Sequence, residues 1–220
     1  MRKVVAAAFV SLDGVMQAPG APQEDPTGGF ALGGWTTTYW DEMMGASMAE
    51  AFATPFDLLL GRKTYDIFNA HWPYAGDDPV AVAFNACTKY VATRSDRAFT
   101  WANTVALRGD VAAEVARLKA GEGPQLLTQG SSDLLQTLLA QGLVDEFRLM
   151  TFPVVLGAGK RLFGPGARPG ALTLTETSTS STGVVVATYV PAGEIVTGSF
   201  AIEPPTEAEL QRRADLAKEG

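Results

Sequence analysis

The sequence predicts an α/β fold: a mixed, mostly parallel central sheet flanked by helices, with an antiparallel pair closing the C-terminal edge. Apolar, β-branched runs alternate with segments of helical periodicity through most of the chain, and the part beyond Glu146 reads mostly as strand. A further observation bears on function. At three places a strand runs into small or polar residues where a helix is expected to begin: Leu60 into Gly61-Arg62-Lys63-Thr64, Thr93 into Arg94-Ser95, and Thr128 into Gln129-Gly130-Ser131-Ser132. A helix start has free N–H groups and a positive dipole end, and open α/β sheets bind ligands beyond their strand carboxyl ends. Together the three junctions point to a phosphate-bearing nucleotide.

The elements follow in order. Lys3 to Ser11 is apolar enough for a buried strand and stops at the turn signal Asp13-Gly14. Gln17 to Gly34 is a long Pro/Gly-rich loop, of a length that in compact domains is functional or disordered. Tyr39 to Ala53 has helical spacing, with Trp40, Met43, Met44, Met48 and Phe52 on or near one side; the methionines read as core filler. Phe56 to Leu60 is the next strand, then a short helix from Arg62 to Phe68, another from Ala81 to Ala86, and a strand from Lys89 to Thr93. Thr104 to Leu107 is a strand, and Val111, Val115 and Leu118 mark an amphipathic helix. Gln125 to Gln129 precedes a helix with Ser131 as N-cap and Leu134, Leu135, Leu138 and Leu139 facing inward. Glu146 to Val155, Leu172 to Ser178 and Val184 to Val190 are the remaining strands, the last two an antiparallel pair. Thr206 and Glu209 form a capping box for a charged tail helix. Domain boundaries are therefore expected at 1–199 for a nucleotide-binding domain and 200–220 for a tail.

Composition narrows the chemistry. A chain of 220 residues fits one domain with an appendage. A net charge of −7 argues against a general nucleic-acid or anionic-membrane surface. Cys87 is the only cysteine, which excludes an internal disulfide framework and suits a reducing compartment. No apolar run reaches the length of about 18 residues that a membrane helix needs. The cytoplasm is the expected location. His71 is the only histidine, so with one thiol the chain cannot supply a zinc deaminase's ligands, and no metal site is expected. Gly157-Ala158-Gly159-Lys160-Arg161 is rejected as a phosphate loop: the first glycine is missing and Arg161 stands where Ser or Thr must hold magnesium.

Three motifs in consistent order carry a resemblance: Val10-Ser11-Leu12-Asp13-Gly14-Val15, Leu60-Gly61-Arg62-Lys63-Thr64-Tyr65, and Gly142 to Glu146 continuing through Pro153 to Phe163. They resemble the dihydrofolate-reductase-like family, in the branch similar to the reductase half (C-terminal domain) of the bifunctional riboflavin-biosynthesis deaminase/reductase. The resemblance spans roughly residues 2 to 191. It implies a dihydrofolate-reductase-like three-layer αβα fold, NADPH as cofactor, and a homodimer. By the same resemblance, Gly61, Arg62, Lys63 and Thr64 hold cofactor phosphates, and Thr93, Arg94 and Ser95 meet the adenosine 2′-phosphate. Gln129, Gly130, Ser131 and Ser132 cradle the pyrophosphate, and the nicotinamide reaches toward Gly14 and Val15. Gln129 departs from the pattern, standing where dihydrofolate reductases carry the first of two glycines.

On the substrate side, a dihydrofolate reductase places a ring-gripping carboxylate on the helix after the first strand. Asp41, Glu42 and Glu50 offer none at matching spacing. Asp13 and Asp41 are the candidate catalytic carboxylates for proton transfer. Trp35, Tyr39 and Trp40 either stack on a flat ring or pin the long loop, and His71 reads as a packing or surface residue. The expected activity is an NADPH-dependent reduction of a small heterocycle, pterin- or pyrimidine-like, or of a related carbonyl or imine. The alternatives are an NADPH-binding protein without turnover, and a non-catalytic interaction module keeping the fold.

Overall fold

The computed structural model describes residues 1–164 and 167–219. Eight strands form one sheet: β1 (Val4–Ser11), β2 (Phe56–Gly61), β3 (Lys89–Ala92), β4 (Thr104–Leu107), β5 (Gln125–Gln129), β6 (Glu146–Phe152), β7 (Leu172–Thr179) and β8 (Val185–Pro191). Their order across the sheet is β4-β3-β2-β5-β1-β6-β8-β7. The first six are mutually parallel, while β8 runs antiparallel to β6 and β7 antiparallel to β8. The helices are α1 (Glu42–Ala53), α2 (Arg62–Asn69), α3 (Pro79–Ala86), α4 (Val111–Ala120), α5 (Ser132–Ala140) and α6 (Glu207–Glu219).

Central strands buried on both faces must be apolar at successive positions, and β1 and β2 are. Val4, Val5 and Ala6 of β1 and Leu58, Leu59 and Leu60 of β2 are fully buried. On one face, Val115 of α4 and Leu134, Leu135 and Leu138 of α5 pack on Val4, Ala6, Leu59, Leu126 and Leu149. On the other, Tyr65 of α2 and Phe84 of α3 pack on Val5, Leu58, Leu60 and Leu127, and Met44 of α1 packs with Met150 and Phe152. The result is a three-layer αβα domain. Lys89 is fully buried beneath α3, where its ammonium group bonds the carbonyls of Phe84, Asn85 and Cys87 and so satisfies the helix's C-terminal oxygens.

Several expectations shift. The helix expected from Tyr39 starts at Glu42, because Asp41 is extended and its carboxylate accepts from the Met44 N–H at 3.0 Å. Tyr39 itself ends a short 3-10 turn. No helix follows β3: Thr93 Oγ1 accepts from Ser95 N–H and Ser95 Oγ from Arg97 N–H, two side-chain turns that compete with a helical start. That segment instead carries Phe99 and Trp101 onto Tyr65. β6 stops at Phe152, since Pro153 has no N–H to continue the ladder. Ser131 does precede α5, yet its hydroxyl caps nothing on that helix.

Every residue of β7 is exposed. In the tail, α6 buries no residue, and Glu209 N–H bonds Thr206 Oγ1 at 3.3 Å, half of the expected capping box. Gly220, the last residue of the expected tail, lies outside the described residues. Among the described residues no helix is long and apolar enough to cross a membrane, and no group of three His, Cys, Asp or Glu is placed to hold a metal ion.

Candidate functional site

Parallel strands put all their carboxyl ends on one side of the sheet, and a cavity of about 1270 Å³ opens there. Its walls include Ala7 to Phe9 of β1, Gly61 to Thr64, Thr93 to Ser95, Gly109 to Ala112, and Gln129 to Leu134. The opposite wall is the Met16–Ala21 and Gln23–Asp25 stretch of the long loop, with Trp40, Met48, His71 and Lys160. All the residues expected at the three junctions are therefore brought together. Three helix starts do converge, but the third belongs to α4, while Arg94 and Ser95 sit on the irregular loop after β3. The helix from Val111 was expected but not its place in the site, although the sequence carries that signal: Leu107 runs into Arg108-Gly109-Asp110, a strand entering a glycine and a capping residue.

Gly61 and Ser131 join two of these starts. Gly61 N–H donates to Ser131 Oγ at 2.7 Å, and that hydroxyl donates to Thr64 Oγ1 at 2.7 Å. A side chain on residue 61 would put its Cβ 2.9 Å from Ser131 Oγ, so only glycine permits the tie. Ser131 reaches it from a left-handed backbone, φ +69°, next to Gly130 at φ +84°. The starts also differ in charge. The α4 start is capped by Asp110, which accepts from Ala113 N–H at 3.1 Å, and α5 has Asp133 in its first turn. The first turn of α2 holds no acid and two cations, Arg62 and Lys63, which oppose the helix dipole.

Arg62 is anchored. Its Nε lies 3.0 Å from both Asp66 carboxylate oxygens and its guanidinium lies over the Phe99 and Tyr65 rings at 5.3 and 5.7 Å. Its Nη1 is buried without a partner among the described residues. Lys63 and Arg94 are exposed on the cavity wall, and neither forms an ion pair among the described residues.

The other sequence candidates are placed elsewhere. Gly14 and Val15 do not line the cavity; Val15 is fully buried and bridges to Arg161, and Met16 and Gln17 form the wall instead. Asp13 is a clamp between two turns. Its carboxylate accepts from Ser11 Oγ at 2.6 Å, Leu156 N–H at 3.0 Å and Gly157 N–H at 2.9 Å, with Arg161 Nη2 at 3.4 Å. Those donors, Ser11 foremost, hold its pKa down at about 2. Asp41 caps α1 and accepts from the Ser181 N–H and hydroxyl, which keeps its carboxyl below the ordinary range. It too lies outside the large cavity. Trp35 and Tyr39 pack on Phe152 and pin the loop, Trp35 also donating to the Gln17 carbonyl at 2.8 Å; Trp40 alone of the three reaches the cavity.

Glu24 lines the cavity, as do Asp25, Asp110 and Asp133, and among these acids Glu24 is the one half-buried in the loop that forms no ion pair among the described residues. One of its oxygens accepts from Gly20 N–H at 2.6 Å and Ala21 N–H at 3.3 Å. Burial outweighs those bonds and pushes its pKa up. Beside it, Lys160 latches the loop: its ammonium pairs with Asp25 and bonds Thr27 Oγ1 at 3.1 Å, and its N–H donates to Gln17 Oε1 at 3.0 Å. Burial would raise Asp25, but Lys160 and Thr27 hold it below its usual value. No periodicity or spacing in the sequence distinguishes Glu24, because its position depends on how a long loop folds back on the sheet.

The model of the RibD C-terminal domain family matches residues 2–186. The uncharacterized Bacillus subtilis (strain 168) protein YyaP is 33% identical over 137 residues, 60% of this chain and 72% of YyaP. Among solved structures, a putative riboflavin biosynthesis protein from Shewanella sp. PV-4 superposes with a TM-score of 0.60 at 19% identity, over 86% of this chain and 99% of that one. Dihydrofolate reductase from Enterococcus faecalis, solved with NADP(H) and RAB-propyl, superposes with a TM-score of 0.51 at 14% identity, over 86% of this chain and 96% of that one. The fold is dihydrofolate-reductase-like.

Proposed function

The chain belongs to the RibD C-terminal domain family, which is reductase-like, and we propose that it is an NADPH-dependent reductase of a small, flat, nitrogen-containing heterocycle or a related carbonyl or imine. The observation that carries this reading is the convergence, on one cavity beyond the strand carboxyl ends, of three helix starts and two cations, Lys63 and Arg94, that are unpaired among the described residues. At about 1270 Å³ the cavity exceeds the roughly 300–1,000 Å³ typical of single small-molecule sites, leaving room for a dinucleotide and a second molecule.

The residues present fit such a group. Glycines stand at two of the wall positions where phosphates would approach, and the space a side chain would fill is open: nothing lies within 4 Å at Gly109, and only Met16 Cε at 3.9 Å near Gly130. Arg62, Lys63 and the N–H groups of the first turn of α2 would hold the diphosphate, relieving the clash of two cations with the dipole. Arg94 and Ser95 would take the adenosine end. The reduced nicotinamide, when bound, supplies the hydride. Phe9, Trp40 and Met48 would wall the substrate and exclude water from it. Glu24, whose proton is held more tightly than an exposed glutamate's, would face the substrate as proton donor in place of the engaged Asp13 and Asp41.

The test is NADPH consumption over a panel of pterins, aminopyrimidinones and small imines, with the wild type and Glu24→Gln. Turnover of one class, reduced at least tenfold in Glu24→Gln and no longer following a single ionisation in its pH profile, is the expected result. Tight NADPH binding without oxidation by any of them would favour a binding protein.

A further inference from the structure

The cavity's adenosine end carries an acid as well as a base. Thr93 N–H donates to Leu107 O at 3.0 Å, and Arg108 reaches from the end of β4 to the Ser95 carbonyl at 3.4 Å and to Asp96 at 3.7 Å. These contacts hold the Gly109-Asp110 turn beside Thr93-Arg94-Ser95, and Arg94, Ser95, Gly109 and Asp110 all line the same cavity. Arg108, turned toward Asp96, leaves Asp110 unneutralised. One Asp110 oxygen caps α4 through Ala113 N–H; the other has no partner among the described residues. Gly109, at φ +74° with nothing within 4 Å of where a Cβ would stand, leaves the approach to that oxygen open.

We propose that Asp110 is a specificity-determining residue: with Arg94 it sets the choice between a 2′-hydroxyl and a 2′-phosphate on the adenosine ribose. The inference rests on the reading of this cavity as a dinucleotide site. The two side chains pull in opposite directions. A guanidinium favours the dianionic phosphate of NADPH. A carboxylate repels that phosphate, and it accepts hydrogen bonds from the vicinal hydroxyls of NADH. Asp110 is exposed, so a water-like dielectric constant of about 80 applies, and a carboxylate about 7 Å from a phosphate dianion then costs enough to change affinity roughly tenfold. The wild type therefore discriminates between the two nucleotides less than Arg94 alone would make it, and the acid is the group that limits the preference.

The experiment measures equilibrium binding of NADPH and NADH to the full chain as wild type, Asp110→Asn and Arg94→Ala. Asparagine keeps the capping oxygen for Ala113 and removes only the charge. Asp110→Ser, another good N-cap, serves where the asparagine variant folds poorly. The expected result is NADPH binding roughly tenfold tighter in Asp110→Asn, with NADH unchanged or weaker, and a shift of the ratio in the opposite sense in Arg94→Ala. An equal change for both nucleotides, or none, would overturn the role of Asp110 while leaving the dinucleotide site standing. Failure of every folded variant to bind either nucleotide would overturn both.

Discussion

The cavity has two ends of different construction. One is built where β2, β4 and β5 turn directly into α2, α4 and α5, with the β3 loop between them. The wall side chains there lie within a few residues of a strand end, and β2 and β5 are central strands with cores of fully buried residues. The other end is a wall of loop, residues 16–25, whose shape depends on contacts far along the chain: Lys160 on Asp25 and Gln17, and Asp13 on Leu156 and Gly157. The first end is rigid because the sheet is rigid. The second is only as fixed as its latches, and this is where a substrate pocket can change without disturbing the fold.

Breaking the strand-built end should cost most. In Gly61→Ala the new Cβ would stand 2.9 Å from Ser131 Oγ, forcing the starts of α2 and α5 apart. A loss of about 1–3 kcal/mol in chemical unfolding is expected, together with loss of nucleotide binding. Unchanged stability would mean that the Gly61–Ser131 tie holds nothing. Next comes Asp13→Asn at the edge of the loop-built end. Asp13's pKa is depressed from 3.8 to about 2, so its stabilisation is complete above the unfolded value and disappears as pH falls through the folded one. The variant should melt lower than the wild type at neutral pH, with the gap closing between about pH 4 and pH 2. A pH-independent gap would show that its ionisation is irrelevant.

Lys160→Ala sharpens the comparison by unlatching the loop alone. A stability loss of about 1 kcal/mol is expected, with faster proteolysis within residues 17–34 and the nucleotide affinity kept. Protection as strong as the wild type's would remove the latch from the account. Glu24→Gln has the smallest effect and the opposite sign. Burial raises this carboxyl, so the folded state is favoured below its unfolded pKa of about 4.5 and loses stability as pH rises through the folded value. The glutamine variant should equal the wild type in acid and exceed it in alkali; a variant less stable at high pH would contradict the burial of the charge.

The same division explains what could be read in the sequence. Strands β1 to β5 and helices α2, α4 and α5 follow from apolar runs and 3.6-residue spacing, both local properties. The phosphate-binding candidates were legible because a strand entering Gly-Arg-Lys-Thr or Gln-Gly-Ser-Ser is local too. The helix expected after Thr93 failed because Ser95 spends its hydroxyl on a turn. The α4 helix was legible from Val111, but its start was not counted among the site's junctions although Gly109-Asp110 carried the signal. Asp13 and Glu24 are beyond such reading: both are carboxylates near turns with local donors, and only long-range packing adds Leu156, Gly157 and Arg161 to Ser11 around the one and sets the other against the cavity.

Thermal unfolding with and without NADPH and NADH tests the dinucleotide site most directly. At 100 times Kd a ligand specific for the folded state adds about 2.7 kcal/mol, a shift of several degrees for a domain of this size. NADPH should raise Tm by that much, NADH by less, and Arg62→Ala should abolish the NADPH shift. A well-folded sample that neither nucleotide stabilises would contradict the account.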